Sequence, residues 1–152
     1  MESMSDRTFT LEEANQLLPV LESLLKRAIS AKETMADLDK LFQDLGHRIF
    51  LMGGIKLDVP KWVRSKTARE ECIQLLKDCV NEIHATGVQV KDLDIGLLDF
   101  PAIVDGEVVL LCWKLGELHS IAHWHGTQEG FAGRKPISLL KLSKDAGSER
   151  PN

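Results

Sequence analysis

Apolar side chains recur at alternating steps of three and four residues through the first part of the chain. A mean period of about 3.5 residues predicts a long amphipathic helix with a narrow, coiled-coil-like seam. Thr10 and Glu13 form a capping-box pattern at its start, Gly46 is the predicted C-terminal cap, and Pro19 predicts a kink or a restart of the helix. The seam positions are Ala14, Leu18, Leu21, Leu25, Ala28, Ala31, Met35, Leu38, Phe42 and Leu45.

A second helical pattern follows the loop signal Met52-Gly53-Gly54. Asp58 and Pro60 mark its start, and apolar positions at helical spacing continue to Ala85. Two seamed helices joined by a loop predict an antiparallel helical hairpin over residues 10–86.

From Val88 onward the hydrophobic pattern changes to a period of two, which predicts strands. The predicted fold is therefore α+β: a long antiparallel helical hairpin followed by a small antiparallel β-meander packed on it. We expect one domain over residues 1–152, with the meander and its loop in 88–137 and a frayed tail in 143–152. The main predicted strands and turns are Leu97 to Val104, Asp105-Gly106, Glu107 to Lys114, Leu115-Gly116 and Leu118 to His125.

Hairpins centred on these two turns place Asp99 opposite Cys112, and Cys112 opposite His119. Side chains alternate between the two faces of the predicted sheet, so one face is apolar and should pack on the helices. A functional site is expected on the polar face. The apolar face holds Leu98, Phe100, Val104, Val109, Leu111, Trp113, Leu118, Ala122 and Trp124. The polar face holds Asp99, Cys112, Lys114, Glu117, His119, His123 and His125.

Composition narrows the class of protein without naming a reaction. The chain has 152 residues, 43% of them hydrophobic and 28% charged, and a formal net charge of −4. These values are typical of a globular protein, and the chain lacks the excess of positive charge that is typical of proteins that bind nucleic acid. Three Cys argue against a disulfide-framed domain, and no apolar stretch reaches the roughly 18 residues of a membrane span. We expect a cytoplasmic protein with no nucleic-acid or membrane partner.

A His-x-His pair is the first candidate for chemistry. His123 and His125 would point the same way from a strand, roughly 6–7 Å apart at Cα. Two imidazoles in this arrangement suit a divalent transition metal such as zinc, with Glu129 within reach as a third ligand. The alternative is a pair of surface histidines on a half-exposed sheet.

A second candidate group combines Asp99, Glu117 and Arg134, which could bind a small ligand or anion. Carboxylates near an imidazole can also act as general acid and base, or simply form cross-strand ion pairs. In a continuous strand Glu117 and His125 would lie about 26 Å apart. They could then share a site only across two chains.

Several strings in the sequence carry a family resemblance. They are Phe9 to Asn15, Leu17-Leu18-Pro19, Val90 to Pro101, Leu111 to Glu117, Trp124-His125 and Glu129 to Pro136. With them the chain resembles the bacterial domain of unknown function 2203 family from Phe9 to Ile137. The resemblance implies a two-part architecture and no established activity.

The family pattern also bears on the candidate residues. His123 and Gly126 depart from it, which would make a His-x-His metal site a feature of this member alone. The positions that match it are Asp92, Asp94, Asp99, Glu117, Trp124, His125 and Arg134.

Three functions remain open at this point: a metal- or anion-binding protein, an interaction protein acting through its helical seam, and an acid/base enzyme. The first predicted helix is longer than the second, so part of its seam is left uncovered by its own chain. Exposed apolar stripes commonly mark interfaces, and a two-fold homodimer is the commonest solution. A homodimer is therefore expected, with Glu117 of one protomer near His125 of its partner.

Overall fold

The computed structural model describes residues 7–54 and 56–139. Two antiparallel helices precede a five-stranded antiparallel sheet whose strands follow one another in chain order. This architecture confirms the predicted α+β fold. The predicted frayed tail, 143–152, lies outside the described residues. The elements are α1 (Leu11–Met52), α2 (Val59–Ala85), β1 (Gln89–Asp92), β2 (Leu97–Val104), β3 (Glu107–Lys114), β4 (His123–Gly126) and β5 (Lys135–Pro136).

Helix α1 begins where the capping box predicts and ends later than expected. The Thr10 side chain accepts from the Glu13 amide at 3.1 Å, and the Glu13 carboxylate accepts from the Thr10 amide at 3.0 Å. The helix runs without a break through Pro19 and Gly46 for 42 residues, so the predicted restart and the Gly46 cap are wrong. A glycine inside a helix costs about 1 kcal/mol, which does not break a helix this long. Gly53, at φ +69°, is the actual cap.

The core lies between the first half of α1 and one face of the sheet. No described residue of α1 beyond Ala31 is buried. The sheet therefore covers the seam only up to that point, and the distal half of the hairpin relies on contacts between the two helices, such as Phe42 against Trp62. The buried residues at the centre are Leu18, Leu21, Leu25 and Ala28 of α1, Cys79 and Ile83 of α2, and Leu98, Phe100, Leu111 and Trp113 of the sheet.

The first β-hairpin has the predicted register, with Asp99 opposite Cys112. Asp105 and Gly106 form its turn with φ of 53° and 81°. Positive φ at both central residues is the conformation whose twist matches that of the flanking strands, and Asp-Gly is a preferred pair for it.

The second predicted hairpin is wrong. Strand β4 comprises only His123–Gly126, and Cys112 faces His123 rather than His119. The chain after β3 is instead held by irregular contacts: the Trp113 indole donates to the Leu118 carbonyl at 2.8 Å, and the Ile121 amide donates to the Asn15 side chain of α1 at 2.8 Å.

This change moves several side chains from their predicted places. Leu118 is 82% exposed and Ala122 is exposed, so neither joins the core. His119 leaves the predicted polar face and lies 2.9 Å from Glu22 of α1. No helix in the described ranges combines the length and hydropathy needed to cross a lipid bilayer.

We expect Gly96→Ala to destabilise the sheet strongly. Gly96 has φ of +68°, and a Cβ there would lie 2.5 Å from the Cβ of Leu115. Backbone strain and overpacking together should lower the free energy of unfolding by about 2 to 4 kcal/mol, measured by chemical denaturation. Gly106→Ala is the matched control, because Gly106 also has positive φ but nothing within 4 Å. Equal losses for the two variants would contradict the steric account.

Candidate metal centre

Three adjacent strands each contribute one side chain to a compact cluster. Asp99 of β2, Cys112 of β3 and His125 of β4 lie on the face of the sheet opposite the core. Their oxygen, sulfur and nitrogen atoms all lie within 4.8 Å of one another. All three side chains are nonetheless buried, with relative exposures of 0%, 0% and 1%. Among the described residues, this is the group that could hold a metal ion.

The hydrogen bonds of His125 fix the orientation of its ring. Nδ1 lies 2.9 Å from the carbonyl oxygen of Gly126, and Nε2 lies 3.0 Å from Oδ1 of Asp99. Because a carbonyl can only accept, Nδ1 carries a proton. In the neutral imidazole Nε2 then presents its lone pair toward Asp99 and Cys112. This is the arrangement in which histidines commonly bind metal ions, with the other ring nitrogen held by a hydrogen bond.

Asp99 is a carboxyl group in an unfavourable environment. Burial raises its pKa, while the charge of His125 and hydrogen bonds from His125 and Cys112 act in the opposite direction. Its Oδ2 atom is buried and has no hydrogen-bond partner among the described residues. A buried oxygen without a hydrogen-bond partner costs free energy. A ligand that bound to this atom would offset that cost.

Cys112 is held as a neutral thiol. Burial and the neighbouring charge of Asp99 raise its pKa to about 12, against a smaller opposing effect of Arg134. Reactive cysteines need a lowered pKa and access to solvent. The Asp-His-Cys group therefore lacks the thiolate that a nucleophilic triad requires, although a metal ion would deprotonate the thiol directly.

Arg134 and Glu117 lie beside this cluster. Nη2 of Arg134 donates to both carboxylate oxygens of Glu117, at 2.9 and 2.8 Å, and the guanidinium lies 4.8 Å from the ring centre of Phe131. Arg134 also interacts with the Cys112 side chain. Glu117 is thus linked to the cluster through Arg134 within one chain.

The premise of a cross-chain site no longer holds. The separation of about 26 Å between Glu117 and His125 assumed a continuous strand. The strand is interrupted, because β3 ends at Lys114 and β4 begins at His123.

Two predicted metal ligands lie outside the buried group. His123 is half-buried, stands opposite Cys112, and has a buried Nδ1 without a partner among the described residues. Glu129 is exposed, and its carboxylate accepts from the Gly126 amide at 2.7 Å and from Lys135. The hydrogen bond from Lys135 and, to a smaller extent, the one from the Gly126 amide lower the pKa of Glu129.

The ligands predicted from the sequence do not include Cys112. Its signal was present in the first hairpin, where the register places the thiol beside Asp99. The wrong second register then placed His119 beside Cys112, in the position that His123 occupies. Consequently the imidazole of His125 was not connected with the other two side chains.

The family model of an uncharacterised conserved protein, DUF2203, matches residues 7–137. The chain belongs to this family, as the strings around Asp99, Cys112 and Arg134 indicated. No curated protein and no solved structure matches the chain. The matched range includes every residue of the cluster.

We predict that only one of the three cysteines reacts promptly with a thiol reagent in the metal-free native protein. Cys79 and Cys112 are buried, and Cys72 is partly exposed. At pH 8 a thiol of pKa about 12 is about one part in ten thousand ionised, against about a tenth for the ordinary value of 9.0. Because the pKa is raised, the reaction of Cys112 should still accelerate above pH 9, where a thiol with the ordinary pKa of 9.0 is already at least half ionised. Prompt reaction of two or three thiols would contradict this assignment.

Proposed function

We propose that this protein binds one divalent transition metal ion, with zinc as the best candidate. The ligands are a carboxylate oxygen of Asp99, the sulfur of Cys112 and Nε2 of His125. The observation that carries the proposal is the convergence of these three atoms, from three strands, within 4.8 Å of one another.

The donor set suits zinc. Tetrahedral zinc takes nitrogen and oxygen ligands at about 2.0–2.2 Å and sulfur at about 2.3 Å, so neighbouring ligand atoms lie about 3.3–3.8 Å apart. The three ligand atoms already lie within 4.8 Å of one another, and Nε2 of His125 and Oδ1 of Asp99, which are 3.0 Å apart, would separate slightly to admit the ion. Antiparallel strands hold the three Cα positions rigidly, which reduces the ordering cost of binding.

Charge balance also favours a cation. A Zn²⁺ ion with one carboxylate, one thiolate and one neutral imidazole forms a group with no net charge. The ion would supply a partner for Oδ2 of Asp99 and displace the thiol proton of Cys112, so binding should release protons. A group with no net charge is cheaper to bury than an isolated ionised side chain.

Because all three ligands are buried, the site suits a protein that holds a metal ion better than an enzyme whose metal is accessible to substrate. A catalytic zinc site keeps a position accessible to substrate, whereas these side chains are almost completely covered. A small anion is less well supported as the ligand, since Arg134 already pairs with the Glu117 carboxylate.

The test is metal binding by chelator-treated protein. We expect one zinc per chain by elemental analysis, and with cobalt a thiolate-to-metal charge-transfer band. Cys112→Ala and His125→Ala should abolish this band. Asp99→Asn should weaken binding by at least about tenfold, because even the loss of a residue that only supports a ligand costs about 10–100-fold in metal affinity. Circular dichroism should show that each variant remains folded.

Two matched controls accompany these variants. Cys79→Ala removes another buried thiol, and His123→Ala removes the neighbouring imidazole of the His-x-His pair. Both should retain the cobalt band. Failure of the unaltered protein to take up metal would contradict the proposal, as would an undiminished band in Cys112→Ala.

A further inference from the structure

The end of the helical hairpin that lies beyond the sheet carries a surface that neither the core nor the metal centre uses. We define the hairpin tip as residues 41–54 and 56–66, the end of α1 and the start of α2. Phe50 is 82% exposed, and Leu51 and Met52 are each 65% exposed. Among the described residues of the tip, the other exposed apolar side chains are Leu41, Ile49, Leu57, Val59 and Val63. Several exposed large apolar side chains at one end of a molecule commonly mark an interaction site.

The charge of the hairpin tip differs from that of the chain. Residues 41–66 contain five Lys and Arg against two Asp, a net of +3, whereas the whole chain carries −4. None of the five forms an ion pair with another residue in the described part of the chain. The basic side chains are Arg48, Lys56, Lys61, Arg64 and Lys66.

This positive charge indicates the chemistry of the partner. Two tips meeting in a homodimer would bring like charges together, which opposes association. An anionic surface would be attracted to the same side chains. The partner must also accept an apolar group, because Phe50, Leu51 and Met52 are adjacent at the end of α1.

The order of apolar and basic residues suits a membrane surface. The three apolar residues occupy the last turn of α1, Arg48 lies one turn behind them, and Lys61 lies in the first turn of α2. Interfacial segments place apolar side chains at the boundary of headgroups and acyl chains while basic side chains contact anionic headgroups.

We propose that the hairpin tip binds the surface of an anionic lipid bilayer. Phe50, Leu51 and Met52 enter the interface, and Arg48 and Lys61 contact lipid phosphates. The sequence-based expectation of no membrane partner rests on the lack of a spanning segment. A peripheral contact needs no span, and the relevant charge is that of the tip.

Co-sedimentation with vesicles tests this proposal. Full-length protein should bind vesicles of phosphatidylcholine with phosphatidylglycerol, should not bind phosphatidylcholine alone, and should dissociate at high salt. The double variant Phe50→Ser, Leu51→Ser should lose at least about tenfold in affinity. Leu118→Ser, at a residue that is equally exposed outside the tip, should bind normally.

Charge reversal provides the second comparison. Lys61→Glu combined with Arg64→Glu should reduce binding, whereas Lys77→Glu, at an exposed position farther along α2, should have a much smaller effect. Equal binding to neutral and anionic vesicles, or no binding to either, would overturn the proposal. So would a lipid-free dimer that is lost in the Phe50→Ser, Leu51→Ser variant, because the tip would then bind a second copy.

Discussion

The antiparallel register of β2, β3 and β4 is the constraint on which the rest of this structure depends. Because side chains alternate across a sheet, a slip of one residue would exchange its two faces. Packing of Phe100 and Leu111 on α1 prevents that slip, since their loss from the core would expose large apolar surfaces. The same register necessarily places Asp99, Cys112 and His125 together on the opposite face. Core formation therefore also assembles the candidate metal centre.

Burying Asp99, Cys112 and His125 without a ligand costs free energy. A buried carboxyl oxygen lacks a partner, one proton lies between Nε2 of His125 and Oδ1 of Asp99, and the neighbouring thiol remains protonated. Apolar residues of similar volume would fill the same space at lower cost. A metal ion would coordinate all three side chains and compensate the cost of their desolvation, which is the physical reason for proposing metal binding rather than a purely structural network.

Local signals in the sequence predict most of the fold. The predictions fail where contacts between residues distant in sequence determine the path of the chain. Asp105-Gly106 located the first β-hairpin because its backbone requirements are specific to that turn. Gly46 did not end α1, because a mid-helix glycine is tolerated when the helix continues on both sides. The path after Leu115-Gly116 could not be read locally, since Asn15 of α1 accepts the Ile121 amide from far along the chain. Strand β4 begins only at His123, which faces Cys112, so the sequence points to Asp99 and His125 without the thiol that lies between them.

X-ray absorption spectroscopy at the zinc edge of zinc-loaded protein tests the central claim most directly, because it reports the atoms that touch the metal. The account predicts one sulfur neighbour at about 2.3 Å and nitrogen or oxygen neighbours at about 2.0–2.2 Å, with an imidazole contribution. The sulfur neighbour should disappear in Cys112→Ala and persist in Cys79→Ala. A zinc ion coordinated only by nitrogen and oxygen in the unaltered protein would contradict the assignment of Asp99, Cys112 and His125 as its ligands.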